Sequence, residues 1–110
     1  MYTISLYDVN KIALLYKGGA IGRAEYKVGD TVDICGITID GEADGDEVRR
    51  FFLRSLVSRL MNAGLPIVFI APDEKSLPYI QEMNFLKADN EWYQYAERIE
   101  FPSKCKEGSK

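Results

Sequence analysis

The spacing of apolar residues changes once along the chain, and this change constrains the fold more than any other feature of the sequence. Between residues 11 and 40 the apolar residues fall in short runs broken by turn-forming dipeptides, whereas from Val48 onward they recur every three or four positions. The first pattern is typical of β-strands and the second of an α-helix that buries one face. The chain is therefore predicted to begin as a sheet and to continue with a helix packed against it.

Three strands are predicted before the period changes. They lie at residues 12–16, 20–28 and 31–40. Gly18-Gly19 closes the first run, and Gly29-Asp30, a dipeptide typical of tight hairpin turns, closes the second. Residues 3–7 add a leading strand. The N-terminal part is thus predicted to form an antiparallel β-meander.

The third predicted strand carries polar side chains beside apolar ones. The two-residue period of a strand places Asp33, Cys35 and Ile39 on one face and Ile34 on the other. Since the chain has no histidine that would activate Cys35, this residue is expected to be a buried and inert thiol.

A long amphipathic helix is predicted over residues 46–62. Phe52, Leu56 and Leu60 are spaced by four and are expected to be buried against the sheet. Gly64 is the expected C-terminal cap. The helix also carries an arginine series that is expected to be mostly exposed to solvent: Arg49, Arg50, Arg54 and Arg59.

The rest of the chain alternates strand and helix. The apolar run at 66–71 predicts a buried strand, usually paired in parallel. Ser76 is expected to cap a short helix that ends at Met83, and an aromatic strand is predicted at 92–99. These elements give an α/β fold of the α+β type: a mixed sheet whose antiparallel meander is followed by helix, strand, helix and strand. Residues 1–101 are expected to form one domain, and 102–110 a flexible tail.

Composition removes several classes of function. The 110 residues include 14 Lys and Arg, 17 Asp and Glu, two cysteines and no histidine. Imidazole-based catalysis and histidine zinc sites are therefore excluded, and two cysteines are too few for a disulfide scaffold. We expect a cytoplasmic protein that binds neither nucleic acid nor membrane, because its net charge is negative and no apolar run is long enough to span a bilayer.

One loop partly resembles a calcium-binding sequence. Residues 40–45 alternate oxygen-bearing side chains and end in Gly45, but Phe51 stands where a bidentate glutamate is needed. An acidic loop that precedes a helix accounts for this segment better, so no metal site is predicted.

The order of elements over residues 11–99 resembles the conserved half of the GNAT superfamily, the Gcn5-related N-acetyltransferases. Residues 60–65 resemble the end of the family's long helix, and Met83-Asn84-Phe85 stands where the family usually has Leu-Gly-Phe. The resemblance implies a GNAT-type sheet, acetyl-CoA as the cofactor, and transfer of its acetyl group to an amine of a small molecule or protein.

The resemblance also places a cofactor site at the start of the long helix. The family's signature, Gln/Arg-x-x-Gly-x-Gly/Ala, binds pyrophosphate through backbone N–H groups. The matching residues here are Asp44, Gly45, Asp46, Glu47, Val48 and Arg49. Carboxylates in this loop repel a phosphate, whereas Arg49 and Arg50 can contact one. By the same resemblance the backbone near Ile39 holds the thioester oxygen, and Asp73 replaces a frequent asparagine.

Three residues are candidates for proton transfer under this resemblance. Asp33 or Glu25 would accept a proton from the amine, although both are also explained as ordinary solvent-facing carboxylates. Tyr79 would protonate the CoA thiolate, but the family's tyrosine position corresponds to Ile80. Two functions stay open. One is an acetyltransferase with a degenerate pyrophosphate loop. The alternative is a non-catalytic binding module that forms a homodimer or binds another protein.

Overall fold

The computed structural model describes residues 1–101, which fold around one mixed sheet. Its strands are β1 (Tyr2–Asp8), β2 (Lys11–Tyr16), β3 (Gly19–Val28), β4 (Val32–Ile39), β5 (Ile67–Ile70), β6 (Leu86–Ala88) and β7 (Glu91–Gln94). They lie in the order β1-β2-β3-β4-β5-β7-β6. β1 to β4 form the antiparallel meander, β5 pairs in parallel with β4, and β7 returns antiparallel to β5. The predicted fold class is confirmed, while the expected tail at 102–110 lies outside the described residues.

The long helix, α1 (Asp46–Leu60), connects β4 to β5. Phe52 and Leu56 are fully buried and Leu60 nearly so, as the spacing predicts. Each fully buried side chain of this kind contributes roughly 1.5–3 kcal/mol of transfer free energy. A 3₁₀ turn, Met61–Ala63, extends the helix, and Gly64 ends it with a φ of 75°. This left-handed conformation is the reason for a glycine at that position.

The second helix, α2 (Leu77–Glu82), follows a 3₁₀ turn over Glu74–Ser76. Pro78 lies in its first turn, as expected. The predicted cap at Ser76 is wrong, because this side chain does not cap α2 and instead accepts a hydrogen bond from the Arg49 side chain. The two helices and one face of the sheet enclose a single apolar core.

The aromatic strand is shorter than predicted. β7 ends at Gln94 rather than at 99, and a 3₁₀ turn over Ala96–Arg98 follows. The Gln94 side chain is buried and donates a hydrogen bond to the Asn84 carbonyl, while its oxygen accepts one from the backbone of Tyr95. These local hydrogen bonds form where the pairing of β7 with its neighbouring strands ends. β6, which pairs with β7, was not predicted.

β4 contains one extra residue, Cys35. Glu25 of β3 pairs with Gly36 and the next residue, Tyr26, pairs with Ile34, so Cys35 has no partner on β3. Such a bulge reverses the alternation of side chains along a strand. Ile34 and Ile39 therefore both belong to the core. The predicted faces are wrong beyond Ile34, and Cys35 is exposed rather than buried.

β1 and β2 are joined by a tight turn. Asn10 in this turn has a φ of 62°, a conformation that asparagine tolerates better than most residues. The chain thus passes from the first strand to the second without an intervening helix. Neither helix of the described region has the length and apolar character needed to cross a membrane.

Candidate functional site

A cleft opens where β4 and β5 separate. The two strands pair only through residues 32–34 and 67–69, and the bulge at Cys35 follows directly. Beyond it the strands enclose a space of about 210 Å³, which Gly36 and Ile37 line from one side and Ala71 from the other. The backbone groups of β4 that face this space have no partner strand among the described residues. They can therefore pair with an extended ligand that carries amide groups.

The cleft continues as a channel to the start of α1. Its middle part, about 440 Å³, shares Ile37 and Asp73 with the cleft. Its last part, about 380 Å³, shares Asp44, Arg49 and Lys75 with the middle part. The three spaces therefore lie next to one another beside β4, and together they are called the channel. The channel ends at the positive end of the long helix.

The first turn of α1 presents backbone N–H groups to the end of the channel. Gly45 precedes the helix in an extended conformation, and no side chain caps the helix within the described residues. The first N–H groups of a helix have no partner inside it, so they are available to an anion. Asp46 and Glu47 lie in this same turn and stabilise the positive end of the helix themselves.

Arg49 is buried, which corrects the expectation of a solvent-exposed arginine face at this position. Only 5% of the residue is exposed. Its Nε and Nη2 donate to the two Asp44 carboxylate oxygens at 3.1 and 2.6 Å, and Nη1 donates to Ser76 Oγ at 2.8 Å. The hydrogen bonds from Arg49 lower the pKa of Asp44. The guanidinium group is thus already neutralised by the chain, and it ties the loop before α1 to the turn before α2.

Arg50 is also engaged, although it is only half-buried. Its Nε and Nη2 donate to the Glu82 carboxylate at 3.1 and 3.4 Å. The guanidinium group also lies over the ring of Tyr79, 5.3 Å from its centre. In this arrangement both arginines that were expected to meet a phosphate are held by carboxylates.

Tyr79 lines the last part of the channel and is buried. Its hydroxyl donates a hydrogen bond to Asp46 Oδ1 at 2.8 Å. Burial, helped by the bond to Asp46, raises the pKa of Tyr79, so the phenol keeps its proton at neutral pH.

The other sequence-predicted site residues divide into two groups. Ile39, Asp73 and the loop before α1 line the channel. Asp33 and Glu25 lie outside the channel lining. Asp33 accepts a hydrogen bond from Thr31 Oγ1 at 2.5 Å, and exposed Glu25 lies 3.9 Å from Lys11 Nζ.

Sequence reasoning did not identify Ser76 or Lys75 as part of this region. Ser76 lies 27 residues from Arg49, and no local pattern connects the two. One signal in the sequence could have indicated that Arg49 is engaged. Asp44 and Arg49 lie on either side of the helix start, where they can form an ion pair.

Comparison with known proteins identifies the fold. No protein-family profile matches the chain, and no curated protein matches it in sequence. Among solved structures it resembles the Bacillus subtilis N-acetyltransferase YlbP in complex with coenzyme A, with a TM-score of 0.59 and 16% identity over 78% of this chain and 67% of that one.

Two further solved structures resemble the chain to a similar degree. The KacTA–DNA complex gives a TM-score of 0.54 at 13% identity, over 79% of this chain and 67% of that one. A mutant of the AtaT toxin, bound to the C-terminus of the antitoxin AtaR and to acetyl-CoA, gives 0.53 at 12% identity with the same coverages. The chain thus spans about two thirds of the length of these structures. Its seven-stranded mixed sheet, with two helices on one face, is the GNAT fold.

Proposed function

We propose that the chain is an acetyl-CoA-dependent N-acetyltransferase of the GNAT type, acting in the cytoplasm, with a degenerate pyrophosphate loop. The channel from the β4–β5 cleft to the start of α1 carries this proposal. Two solved structures of the same fold hold coenzyme A and acetyl-CoA. Acetyl-CoA supplies a thioester-activated acetyl group on an arm that contains amides, and such an arm suits the unpaired backbone of β4.

The chain's own residues take the following roles in this proposal. Backbone groups from Gly36 to Ile39 bind the arm and the thioester oxygen. The N–H groups of Asp46, Glu47 and Val48 meet phosphate at the positive end of α1. Because Asp44 already neutralises Arg49, phosphate has to compete with this carboxylate, which predicts weaker binding than an open glycine-rich loop would give.

The residues proposed for proton transfer differ in where they lie relative to the channel. Tyr79 lines the channel and holds its proton, so it can protonate a leaving thiolate once its bond to Asp46 is released. Asp33 and Glu25 lie on the face of the sheet away from the helices. They can accept a proton from the acceptor amine only through water.

A second candidate function is a non-catalytic binding module of the same fold. The observation that favours it is the ion pair of Asp44 with Arg49, because this pair places a carboxylate where phosphate is expected. The ion pair of Arg50 with Glu82 supports the same function, because it engages the second arginine that could contact phosphate.

Calorimetric titration with acetyl-CoA tests the proposal, and Gly36 offers a sharp variant. Gly36 lines the cleft and a Cβ atom there meets no atom within 4 Å, so Gly36→Leu adds bulk at the cleft without displacing the core. Gly41→Leu is the matched control, because Gly41 is equally unobstructed but lies in the loop after β4. We expect micromolar binding to the natural chain and to Gly41→Leu, and at least about ten-fold weaker binding to Gly36→Leu, a loss of about 1.4 kcal/mol.

The outcomes separate the two candidates. Binding that Gly36→Leu abolishes, followed by acetylation of an amine, supports the acetyltransferase. Binding without transfer to any amine, or no heat at millimolar acetyl-CoA with the chain folded, supports the non-catalytic module.

A further inference from the structure

A second groove lies on the other side of α1 from the channel. It has a volume of about 720 Å³ and runs along the helix beside strand β1. Its apolar lining comes from Tyr2 and Ile4 of β1, Phe51 of α1, and Phe101. The groove shares no lining residue with the channel, so the two are separate spaces.

The strand beside this groove is an edge of the sheet. β1 pairs with β2 on one side, and within residues 1–101 no strand pairs with its other side. It has seven residues, of which only Asp8 is charged, and the side chains of Leu6 and Tyr7 are about half exposed. Proteins usually protect such an edge with charge, proline or a covering element. An uncovered edge of this kind is a template for an added strand.

The charge in the groove selects the kind of strand that fits. Arg50 is neutralised by Glu82, whereas Arg54, Arg59 and Glu47 form no ion pair among the described residues, so the groove lining keeps a net positive charge. The guanidinium group of Arg54 lies 5.8 Å from the centre of the Phe101 ring. Two unpaired cations beside aromatic rings suit a segment that combines carboxylates with apolar side chains.

Neither this chain's own C-terminal segment nor a second copy of β1 has that chemistry. Residues 102–110 carry Lys104, Lys106 and Lys110 against a single Glu107, so their charge has the same sign as that of the groove. β1 itself offers only Asp8. Of these three occupants, a segment of another protein is the one that can carry the complementary charge.

We propose that this groove binds an extended segment of a partner protein in which acidic and apolar residues alternate, and that the segment adds to the sheet as a strand along β1. Strand addition satisfies the open backbone groups of β1. The two-residue period then turns one set of side chains of the segment toward Phe51, Phe101 and the two arginines.

The test uses the full chain and a labelled synthetic peptide of alternating valine and glutamate, with a valine–lysine peptide as the reference. Fluorescence anisotropy measures the binding, and hydrogen exchange locates it. We expect the acidic peptide alone to bind, its affinity to fall as salt is raised, and the amides of β1 to exchange more slowly in the complex.

Paired charge reversals distinguish groove binding from general charge attraction. Arg54→Glu with Arg59→Glu should weaken binding at least about ten-fold. Arg23→Glu with Lys87→Glu changes the net charge equally, at exposed positions outside the groove, and should leave the affinity unchanged. Circular dichroism and thermal unfolding check that both variants are folded.

Three results would overturn the proposal. The first is equal loss of affinity in both paired variants, which indicates non-specific attraction. The second is protection of β1 amides by self-association without peptide, which assigns the edge to a second copy. The third is a single-stranded oligonucleotide that displaces the peptide and binds more tightly, which assigns the groove to nucleic acid.

Discussion

Arg49 is a buried cation whose guanidinium hydrogen bonds all go to other side chains of the chain. A guanidinium group at this position of the fold can meet phosphate, yet here all of its hydrogen bonds go to Asp44 and Ser76. A buried ion pair is costly to break one partner at a time, because the other charge is then left in a poorly solvated position. The pair therefore stabilises the observed arrangement of the loop before α1.

Removal of the Asp44 charge should destabilise the chain. Asp44→Asn leaves the buried Arg49 charge with one amide oxygen in place of the carboxylate, beside Ser76 and the more distant Asp73. We expect the free energy of unfolding at pH 7 to fall by about 2 kcal/mol. Urea denaturation measures this change. Glu42→Gln, at an exposed loop position, is the matched control and should change the free energy by less than about 0.5 kcal/mol.

The pH dependence of this variant follows from the lowered pKa of Asp44. A carboxyl whose pKa is lower in the folded state stabilises the fold above its unfolded pKa, and this contribution disappears as the pH falls through the folded value. The difference between the natural chain and Asp44→Asn should therefore shrink below about pH 4. A constant difference down to pH 2 would show that the ion pair does not cause the effect.

Tyr79 makes the opposite prediction at alkaline pH. Tyr79→Phe loses the hydrogen bond to Asp46 and should cost about 1 kcal/mol at pH 7. Because the pKa of Tyr79 is raised, its contribution is present below its unfolded pKa and is lost as the pH rises through the folded value. The cost should thus diminish above about pH 10. Tyr95→Phe, half exposed, should have little effect at either pH.

Sequence patterns predicted the helices and strands whose apolar positions recur regularly. They did not predict local features that depend on a single residue or contact. The four-residue spacing of Phe52, Leu56 and Leu60 predicted α1, and the apolar run at 66–71 predicted β5. Both predictions rest on a regular pattern of buried side chains along the sequence. The bulge at Cys35 adds one residue without changing the local composition. No count of apolar positions can detect it, although it determines where the cleft opens.

The candidate site was less predictable than the fold for a similar reason. The resemblance made Asp73 and the loop before α1 candidates for cofactor binding; both line the channel, and their role stays a prediction. The burial of Arg49 depends on Ser76, which lies on another element. Long-range polar contacts of this kind leave no periodic trace in a sequence.

Deletion of Cys35 from strand β4 should close the cleft while the fold is kept. Without the extra residue, Ile34, Ile37 and Ile39 still alternate toward the core, so the hydrophobic pattern of a regular strand is preserved. We expect a folded variant with a thermal midpoint within about 5 °C of the natural chain. The straightened strand should pair further along β5 and close the cleft.

Cys35→Ser is the matched control for the deletion, because it keeps the extra residue. Acetyl-CoA should bind to Cys35→Ser as it does to the natural chain and should not bind to the deletion variant, as measured by calorimetry. Equal binding to both variants would mean that the bulge does not form the binding site.

Residues 1–101 form a two-layer structure in which one face of the sheet carries the helices and the other faces solvent. The outer face of the meander presents Arg23, Glu25 and Lys27, which are all exposed. Charged side chains make such a face compatible with water without a covering helix. Ligand binding is consequently expected at the margins of the helix layer, in the channel on one side of α1 and in the groove on the other.

The apolar core of residues 1–101 makes a prediction for the shortened chain. The core cluster includes Ile99, and Phe101 packs against it, whereas residues 102–110 contain no large aliphatic or aromatic residue that could bury further apolar surface. A chain that ends at Phe101 should therefore unfold in one cooperative transition, with a thermal midpoint within about 2 °C of the full chain. Phe101→Ala in the full chain should lower the midpoint further, by about 4 °C, because it removes a partly buried ring. Differential scanning calorimetry measures both. A larger loss in the shortened chain than in Phe101→Ala would show that residues 102–110 contribute packing, and the groove along α1 would then be the first place to look for it.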